Sequence, residues 1–255
     1  MLRVILHADH KLTLKPYLER WAGEIGPRIE LVSYDELFRS KRVPACVHVF
    51  TDLERLRDDD AERAASVWAA IREEAPEIKL LNQPLLGMRR YELLRTLYEQ
   101  GVNQFDVYRL TEARRPRRFP VFVRGENDHA GSETGLLASQ RELDTAIAAL
   151  SRAGKSRGSR IVVEYCAEPS EQNLYRKYAA FCLDGEIIPR HLMVSSGWMI
   201  KESSRIVDDA KREEELLYVQ SNPHADWNGA CSRSRDSTTD GSTTASSAAA
   251  LRYTK

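Results

Sequence analysis

Short apolar runs separated by polar turns open the chain, and amphipathic segments lie between them. The runs that read as strands are residues 4–6, 29–32, 47–50 and 78–81. Residues 14–22 and 61–75 instead repeat apolar side chains at every third or fourth position, which is the spacing of a helix with one buried face. Strands and helices that alternate in this order predict a small, mostly parallel sheet covered by helices.

The pattern changes after residue 84, where the alternation gives way to antiparallel signals. Helices are predicted over residues 89–100 and 140–150, with Gly101 as a C-terminal glycine cap on the first. The predicted strands are residues 107–110, 121–123, 161–165, 178–183 and 187–188, and Asp184-Gly185 is a strong hairpin turn between the last two. The chain therefore predicts an α/β domain over residues 1–84 and an α+β region over residues 85–228.

Residues 229–255 differ from everything before them. They are almost entirely Ser, Thr, Ala, Arg, Asp and Gly, and their only large apolar or aromatic residues are Leu251 and Tyr253. A segment of this composition cannot bury a core, so it is predicted to be a disordered tail.

Charge and hydropathy argue against two classes of binding partner, nucleic acids and membranes. The 255 residues contain 38 Lys and Arg against 38 Asp and Glu, and this balance argues against a general nucleic-acid binder. No apolar run approaches the roughly 20 residues that span a bilayer, and the first residues do not form a signal peptide. We therefore expect no membrane partner and a cytoplasmic location, and the sequence says nothing about oligomeric state.

A candidate for chemistry lies between the predicted strands 121–123 and 161–165. The first strand leads directly into Arg124 and then into a loop over residues 125–135, which contains three glycines and the hydroxyl of Ser132. Glycine lets backbone N–H groups approach phosphate oxygens closely, and a guanidinium at the root of the loop can hold phosphate in a bidentate manner. The alternative is an ordinary surface turn, which has the same composition.

The order of elements over residues 81–201 resembles the ATP-grasp superfamily. It runs from Leu81-Asn82-Gln83-Pro84 and the basic helix start through the strand ending in Arg124, the loop, the strand Ile161 to Cys166 and the hairpin ending in Pro189. The resemblance implies a two-lobed domain that holds ATP between its lobes, here preceded by an α/β domain and truncated at its C-terminus. It also implies an ATP-dependent carboxylate–amine ligase, which would form an acyl phosphate and act on small-molecule carboxylates and amines.

The resemblance also implies roles for particular residues. Arg124 would stand where the family commonly has lysine and contact phosphate, and Arg89 or Arg90 would take the first basic position. The backbone at Glu164, Tyr165 and Cys166 would meet adenine, and Glu171 or Glu168 would bind the ribose. Residues of the loop, the hairpin and the strand end would supply further phosphate and substrate contacts, namely His129, Gly131, Ser132, Arg176, Lys177, Arg190, His191 and Lys201. For each single residue, a surface charge or a turn is the competing interpretation.

The family also implies Mg²⁺, held by late Asp, Glu and Asn side chains in segments like Asp-Tyr-Gly and Glu-Ile-Asn. This chain has neither segment, so no metal ligand is predicted and catalysis is expected to be impaired. If the codons for residues 236–245 are read one base out of frame, they can encode Phe-Asp-Tyr-Gly. We therefore hypothesise a frameshift near Asn228, which the nucleotide sequence of the gene would test.

Two alternatives remain open from the sequence. One is a non-catalytic nucleotide-binding or scaffold protein that kept the lobes and lost the chemistry. The other is an α/β nucleotide-sugar transferase, which a ligand at the turn from His7 to His10 would favour. His7, Asp9 and His10 could also hold a metal ion, although a polar strand-to-helix turn explains them equally well.

Overall fold

The computed structural model describes residues 1–127, 131–183 and 186–225. It divides the chain into two compact units, the first formed by Met1–Gly87 and the second beginning at Met88. The sequence placed this division after residue 84. The predicted turn Asp184-Gly185, the loop residue His129 and the tail over residues 229–255 all lie outside the described residues.

The first unit contains a four-stranded parallel sheet in the order β2-β1-β3-β4. Its strands are β1 (Leu2–Leu6), β2 (Ile29–Ser33), β3 (Val47–Phe50) and β4 (Leu80–Leu81), and its helices are α1 (Ala8–Arg20), α2 (Tyr34–Arg39) and α3 (Asp58–Glu74). Short 3-10 turns cover Gly23–Arg28, Leu53–Arg55 and Pro84–Leu86. The sheet confirms the predicted parallel α/β architecture.

The core of this unit lies on the sheet face that α2 and α3 cover. Ile5 and Phe50 are fully buried there, and they pack with Leu37 of α2 and Ala64 of α3. Alternate residues of a strand point to one face, so the short apolar runs can bury every second side chain against these helices. The edge strand β4 starts two residues later than predicted, because Ile78 still belongs to the turn after α3 and its backbone N–H donates to the carbonyl oxygen of Ala75 at 3.0 Å.

The second unit begins with a three-stranded antiparallel sheet in the order β5-β7-β6. Its elements are α4 (Arg90–Glu99), β5 (Val107–Arg109), β6 (Val121–Gly125), α5 (Gln140–Arg152) and β7 (Arg160–Glu164). One face of the sheet packs on Leu143 and Ile147 of α5. The other face packs on α4 and on Trp198 and Met199. The sheet is therefore covered on both sides, which explains its continuous apolar strands.

The rest of the second unit is a long hairpin backed by one helix. The hairpin is formed by β8 (Tyr175–Leu183) and β9 (Glu186–Ser195), with a bulge between Ala179 and Ala180, and the helix is α6 (Asp209–Ser221). Tyr218 of α6 is buried on the hairpin and donates a hydrogen bond of 3.0 Å to the carbonyl oxygen of Ala179. The antiparallel hairpin was predicted, but β9 is much longer than predicted and α6 was not predicted.

Across the described residues, no helix combines the length and the apolar character needed to cross a membrane.

Candidate functional site

Arg124 stands at the end of β6, on the face of the sheet opposite α5. Val121 and Val123 are fully buried towards α5, and Phe122 points to the other face. Because side chains alternate along a strand, Arg124 leaves the strand on the same face as Phe122. Trp198 packs on this face, with its ring centroid 5.1 Å from that of Phe122. The apolar strand thus positions the half-buried guanidinium of Arg124 at the start of the loop.

The described end of the loop folds back along β6. Ser132 forms an isolated antiparallel bridge with Arg124, and its hydroxyl lies 3.2 Å from the carbonyl oxygen of Val123 and close to that of Thr134. Glu133 forms two hydrogen bonds of 2.6 and 2.8 Å with the guanidinium of Arg160. The hydroxyl of Ser132 already forms hydrogen bonds within the loop. Its backbone N–H is therefore the better candidate for a hydrogen bond to a ligand.

Gly131 lets a lysine side chain lie directly against the loop. Its φ is 96°, a left-handed conformation that side chains disfavour, and a Cβ atom there would lie 2.7 Å from Cε of Lys201. The loop and Lys201, which the sequence places 70 positions apart, are therefore neighbours. Both had been predicted as site residues, and the structure brings these two together.

A second group of basic residues lies on the hairpin, where Lys177 and His191 alternate with Tyr178 and Leu192, which pack towards Tyr218 of α6. Lys177 of β8 is half-buried, and burial lowers the pKa of its amine, with further lowering by the positive charges of Arg124 and Arg190. Burial also lowers the pKa of His191, and the next causes are Arg190 and Lys177. Glu215 and Glu202 act on His191 in the opposite direction and raise its pKa. We call the cations Arg124, Lys177 and Arg190, together with the neighbouring imidazole of His191, the cationic patch.

The cationic patch joins the two parts of the second unit. Arg124 belongs to the three-stranded sheet, whereas Lys177, Arg190 and His191 belong to the hairpin. Like charges repel, so bringing these groups together costs free energy unless an anion lies among them. The arrangement is therefore suited to a polyanionic ligand. Phe181 also lies under the guanidinium of Arg190, 5.2 Å from the ring centroid to Cζ, and helps to orient it.

Arg90, the other predicted basic residue, fastens the base of the loop. Its guanidinium donates to the carbonyl oxygen of Gly125 at 3.2 Å and to that of Glu126 at 2.5 Å. The carboxylate of Glu126 accepts hydrogen bonds of 2.8 and 3.3 Å from Arg109. These contacts tie α4 and β5 to the end of β6, so Arg90 acts on the backbone that carries the loop.

The predicted adenine-binding backbone lies at the end of β7. Glu164 is 2% exposed, and its carboxylate accepts hydrogen bonds from the hydroxyl of Tyr108 and from backbone N–H groups at Asp106, Arg117 and Arg118. The carboxylate of Glu164 is thus part of the interior, and its backbone N–H donates to the carbonyl oxygen of Asp106 at 3.1 Å.

The residues that follow Glu164 are more accessible. The N–H of Tyr165 donates to the carbonyl oxygen of Pro120 at 2.9 Å, and its ring packs edge-on against Trp198. Cys166 is exposed, and Glu171 is exposed in the turn before β8. The residues after β7 therefore place the backbone of Tyr165 and Cys166 next to the ring of Trp198 and its partner Phe122.

The sequence missed a contact in the first unit. Nδ1 of His10 lies 2.7 Å from Oδ1 of Asp52, although 42 positions separate the two residues. Both follow apolar strands, and the ends of neighbouring parallel strands meet at one edge, so the pattern contained a signal for this contact. Among the described residues, no three His, Cys, Asp or Glu side chains are placed to hold a metal ion.

The chain adopts a mixed α/β fold. Its first unit has a parallel sheet, and its second unit has antiparallel sheets. No family model matches the chain. No curated protein matches it either.

Three solved structures align with most of this chain at low sequence identity. D-cycloserine synthetase DcsG is 16% identical over 81% of this chain and 71% of its own, with a TM-score of 0.41. The L-amino acid ligase from Bacillus licheniformis is 15% identical over 91% of this chain, which spans 59% of that ligase, with a TM-score of 0.42. The RimK domain protein ATP-grasp from Sphaerobacter thermophilus is 14% identical over 85% of this chain and 81% of its own, with a TM-score of 0.41.

Proposed function

We propose that the second unit binds ATP and that the chain is an ATP-grasp-like protein related to ATP-dependent carboxylate–amine ligases. The observation that carries the proposal is the cationic patch, in which Arg124 from the sheet and Arg190 from the hairpin add to the effect of burial and lower the pKa of Lys177. A triphosphate would supply the negative charge that this arrangement favours, and hydrogen bonds between ionised partners are the strong ones.

The proposed nucleotide lies between the sheet and the hairpin. Arg124 and Lys177 bind the phosphates, together with the backbone of the loop at Gly131 and Ser132 and with His129. The adenine meets the backbone of Glu164, Tyr165 and Cys166, and Glu171 binds the ribose. Arg90 holds the base of the loop by its bonds to Gly125 and Glu126.

The proposed substrates are a small-molecule carboxylate and an amine, with Arg190 and Lys201 on the substrate side. In related ligases, Mg²⁺ neutralises the transferring phosphoryl group. The described residues of this chain offer no set of metal ligands. We therefore assign no step to Mg²⁺, and we propose that this form binds ATP without ligase turnover.

Calorimetric titration of the full chain with ATP tests the binding proposal. Arg124→Gln and Lys177→Gln should each weaken binding about tenfold, which corresponds to ~1.4 kcal/mol. Arg141→Gln is the matched control, because Arg141 is an exposed arginine on α5. Equal affinity in the patch variants and the control would contradict the proposal, and so would the absence of ATP binding in the unmodified chain.

Turnover is tested separately, by phosphate release from ATP and Mg²⁺ in the presence of mixed amino acids. We expect release no faster than in the absence of amino acids. Release that depends on amino acids would show an active ligase and would contradict the proposed loss of catalysis, while leaving ATP binding intact.

A further inference from the structure

The carboxyl edge of the parallel sheet in the first unit has the topology of a ligand site. β1 and β3 are neighbours in the sheet, but the chain leaves β1 through α1 towards β2 on one side and leaves β3 through α3 towards β4 on the other. Connections that diverge in this way open a crevice between the two strand ends, and ligands of open α/β sheets bind in such crevices.

Two residues from these strand ends form a close pair. The carboxylate of Asp52 contacts Nδ1 of His10 at 2.7 Å through one oxygen and accepts the backbone N–H of His7 at 2.9 Å through the other. The carboxylate is 14% exposed and the imidazole 33% exposed, so the pair is accessible from one side. Asp52 adopts a left-handed φ of 56°, which turns its side chain back towards β1.

The contact fixes the chemistry of the imidazole. An ionised carboxylate can only accept hydrogen bonds, so the ring nitrogen that faces Asp52 carries a proton. In the neutral ring, Nε2 of His10 is then a hydrogen-bond acceptor. A ligand that meets this atom must donate a hydrogen bond.

The charge of the edge is negative. Asp9 lies 3.4 Å from Nδ1 of His7, so two carboxylates and two imidazoles share the turn, and with neutral rings only the carboxylates are charged. The neighbouring cations Lys11 and Arg55 are already paired, with Glu36 and Glu54 respectively.

A buried tyrosine next to the turn is affected by the same negative charges. The hydroxyl of Tyr34 donates to the carbonyl oxygen of Thr51 at 2.7 Å, directly before Asp52. Burial raises the pKa of Tyr34, and the negative charges of Asp52 and Glu54 raise it further. The carboxylates of Asp9 and Asp52 therefore favour a cation at this edge.

We propose that this edge binds the protonated amino group of a small molecule. The ammonium donates a hydrogen bond to Nε2 of His10, and Asp52 is a positioning residue that holds the ring in the accepting tautomer. Asp9 and Asp52 attract the positive charge across a partly exposed edge. The site lies in the first unit and does not depend on nucleotide binding in the second.

The test uses the full chain with ¹⁵N-labelled histidine, titrated with ethylamine and separately with acetate at about pH 8, where histidine rings are largely neutral. Ethylamine should shift the Nε2 signal of His10 in a saturable manner, and acetate should not. Asp52→Asn should weaken ethylamine binding about tenfold and make the two tautomers of the His10 ring similar in population. Asparagine tolerates the left-handed backbone, so this variant is expected to fold.

Glu73→Gln is the control, because it removes an exposed carboxylate of α3. It should leave the ethylamine titration unchanged. The proposal is overturned by any of three results: neither probe saturates, acetate binds as tightly as ethylamine, or Asp52→Asn and Glu73→Gln affect binding equally.

Discussion

Individual charged residues of the second unit divide into those that stabilise the interior and those that face a ligand. Glu164 belongs to the first group, because its carboxylate is enclosed by Tyr108 and by donors from the segment around Arg117 and Arg118. Lys177 belongs to the second group, because it is half-buried without a carboxylate among the causes of its lowered pKa, which are burial first and then the charges of Arg124 and Arg190. Both residues are predicted to contact the nucleotide, since the sequence pattern does not reveal whether a charged side chain of a strand turns inwards.

Glu164→Gln should destabilise the second unit by about 3 kcal/mol, because an amide replaces a buried carboxylate whose partners are all donors. The midpoint of urea unfolding measures the effect. Glu168→Gln makes the same change at an exposed position four residues later and should stay within ~0.5 kcal/mol of the unmodified protein. If both variants unfold at the same urea concentration, Glu164 does not have the structural role described.

Arg124→Gln should raise the pKa of Lys177 towards its ordinary value, because a positive charge that disfavours the ammonium is removed. NMR of ¹³C-labelled lysine follows the titration of this amine directly. Arg141→Gln should leave it unchanged. A pKa of Lys177 that does not respond to Arg124→Gln would mean that the cationic patch is not a single electrostatic unit.

At the scale of elements, cap and loop residues determine details that periodicity misses. α2 is only six residues long, and Ser33 and Glu36 form a capping box at its start, with the backbone N–H of Ser33 donating to Glu36 at 2.7 Å. This signal was present in the sequence.

α6 has no apolar stripe that would predict it from the sequence. It packs on the hairpin mainly through Tyr218, so its position depends on tertiary contacts that the sequence does not display.

Ser33→Ala should lower the stability of the first unit by about 1 kcal/mol, because the backbone N–H of Glu36 loses the Ser33 hydroxyl as acceptor. Thermal unfolding followed by circular dichroism is the measurement. Ser66→Ala, on the exposed face of α3, removes the same hydroxyl from a helix interior and should be neutral or slightly stabilising. The reverse order of these two variants would exclude the capping role.

Gly131→Ala should weaken ATP binding and destabilise the loop by roughly 1–2 kcal/mol, because alanine at this positive φ is strained and its Cβ displaces Lys201. Gly135→Ala is the matched control in the same loop, since a Cβ there meets nothing within 4 Å. Parallel calorimetric titrations compare the two variants. Equal ATP affinity in both would remove the loop at Gly131 from the site.

Much of the fold was predictable, because alternating apolar runs determine strands wherever one face is buried. The parallel character of the first sheet and the change to antiparallel pairing both followed from spacing and turn residues. The long β9 was missed because Pro189 and charged residues interrupt its apolar pattern at the bulge. The apolar runs before His10 and Asp52 predict that both residues lie at the same edge of the sheet, but their pairing was missed because only the order of strands shows that the two strand ends are neighbours.

At the scale of the whole molecule, the chain combines two units with different kinds of candidate site. The first has an imidazole–carboxylate pair at the edge of a parallel sheet, and the second has cations on a sheet and a hairpin. A nucleotide-sugar transferase would use the first for its nucleotide, whereas an ATP-grasp-like protein would use the second. The location of ATP therefore distinguishes the two classes of function.

Hydrogen–deuterium exchange of the full chain with and without ATP measures that location most directly. Our account predicts protection in peptides that cover β6, the loop at Gly131 and the hairpin strands β8 and β9, with no change at the turn from His7 to His10 or at Asp52. Protection at that turn, with no change in β6 and the hairpin, would contradict it.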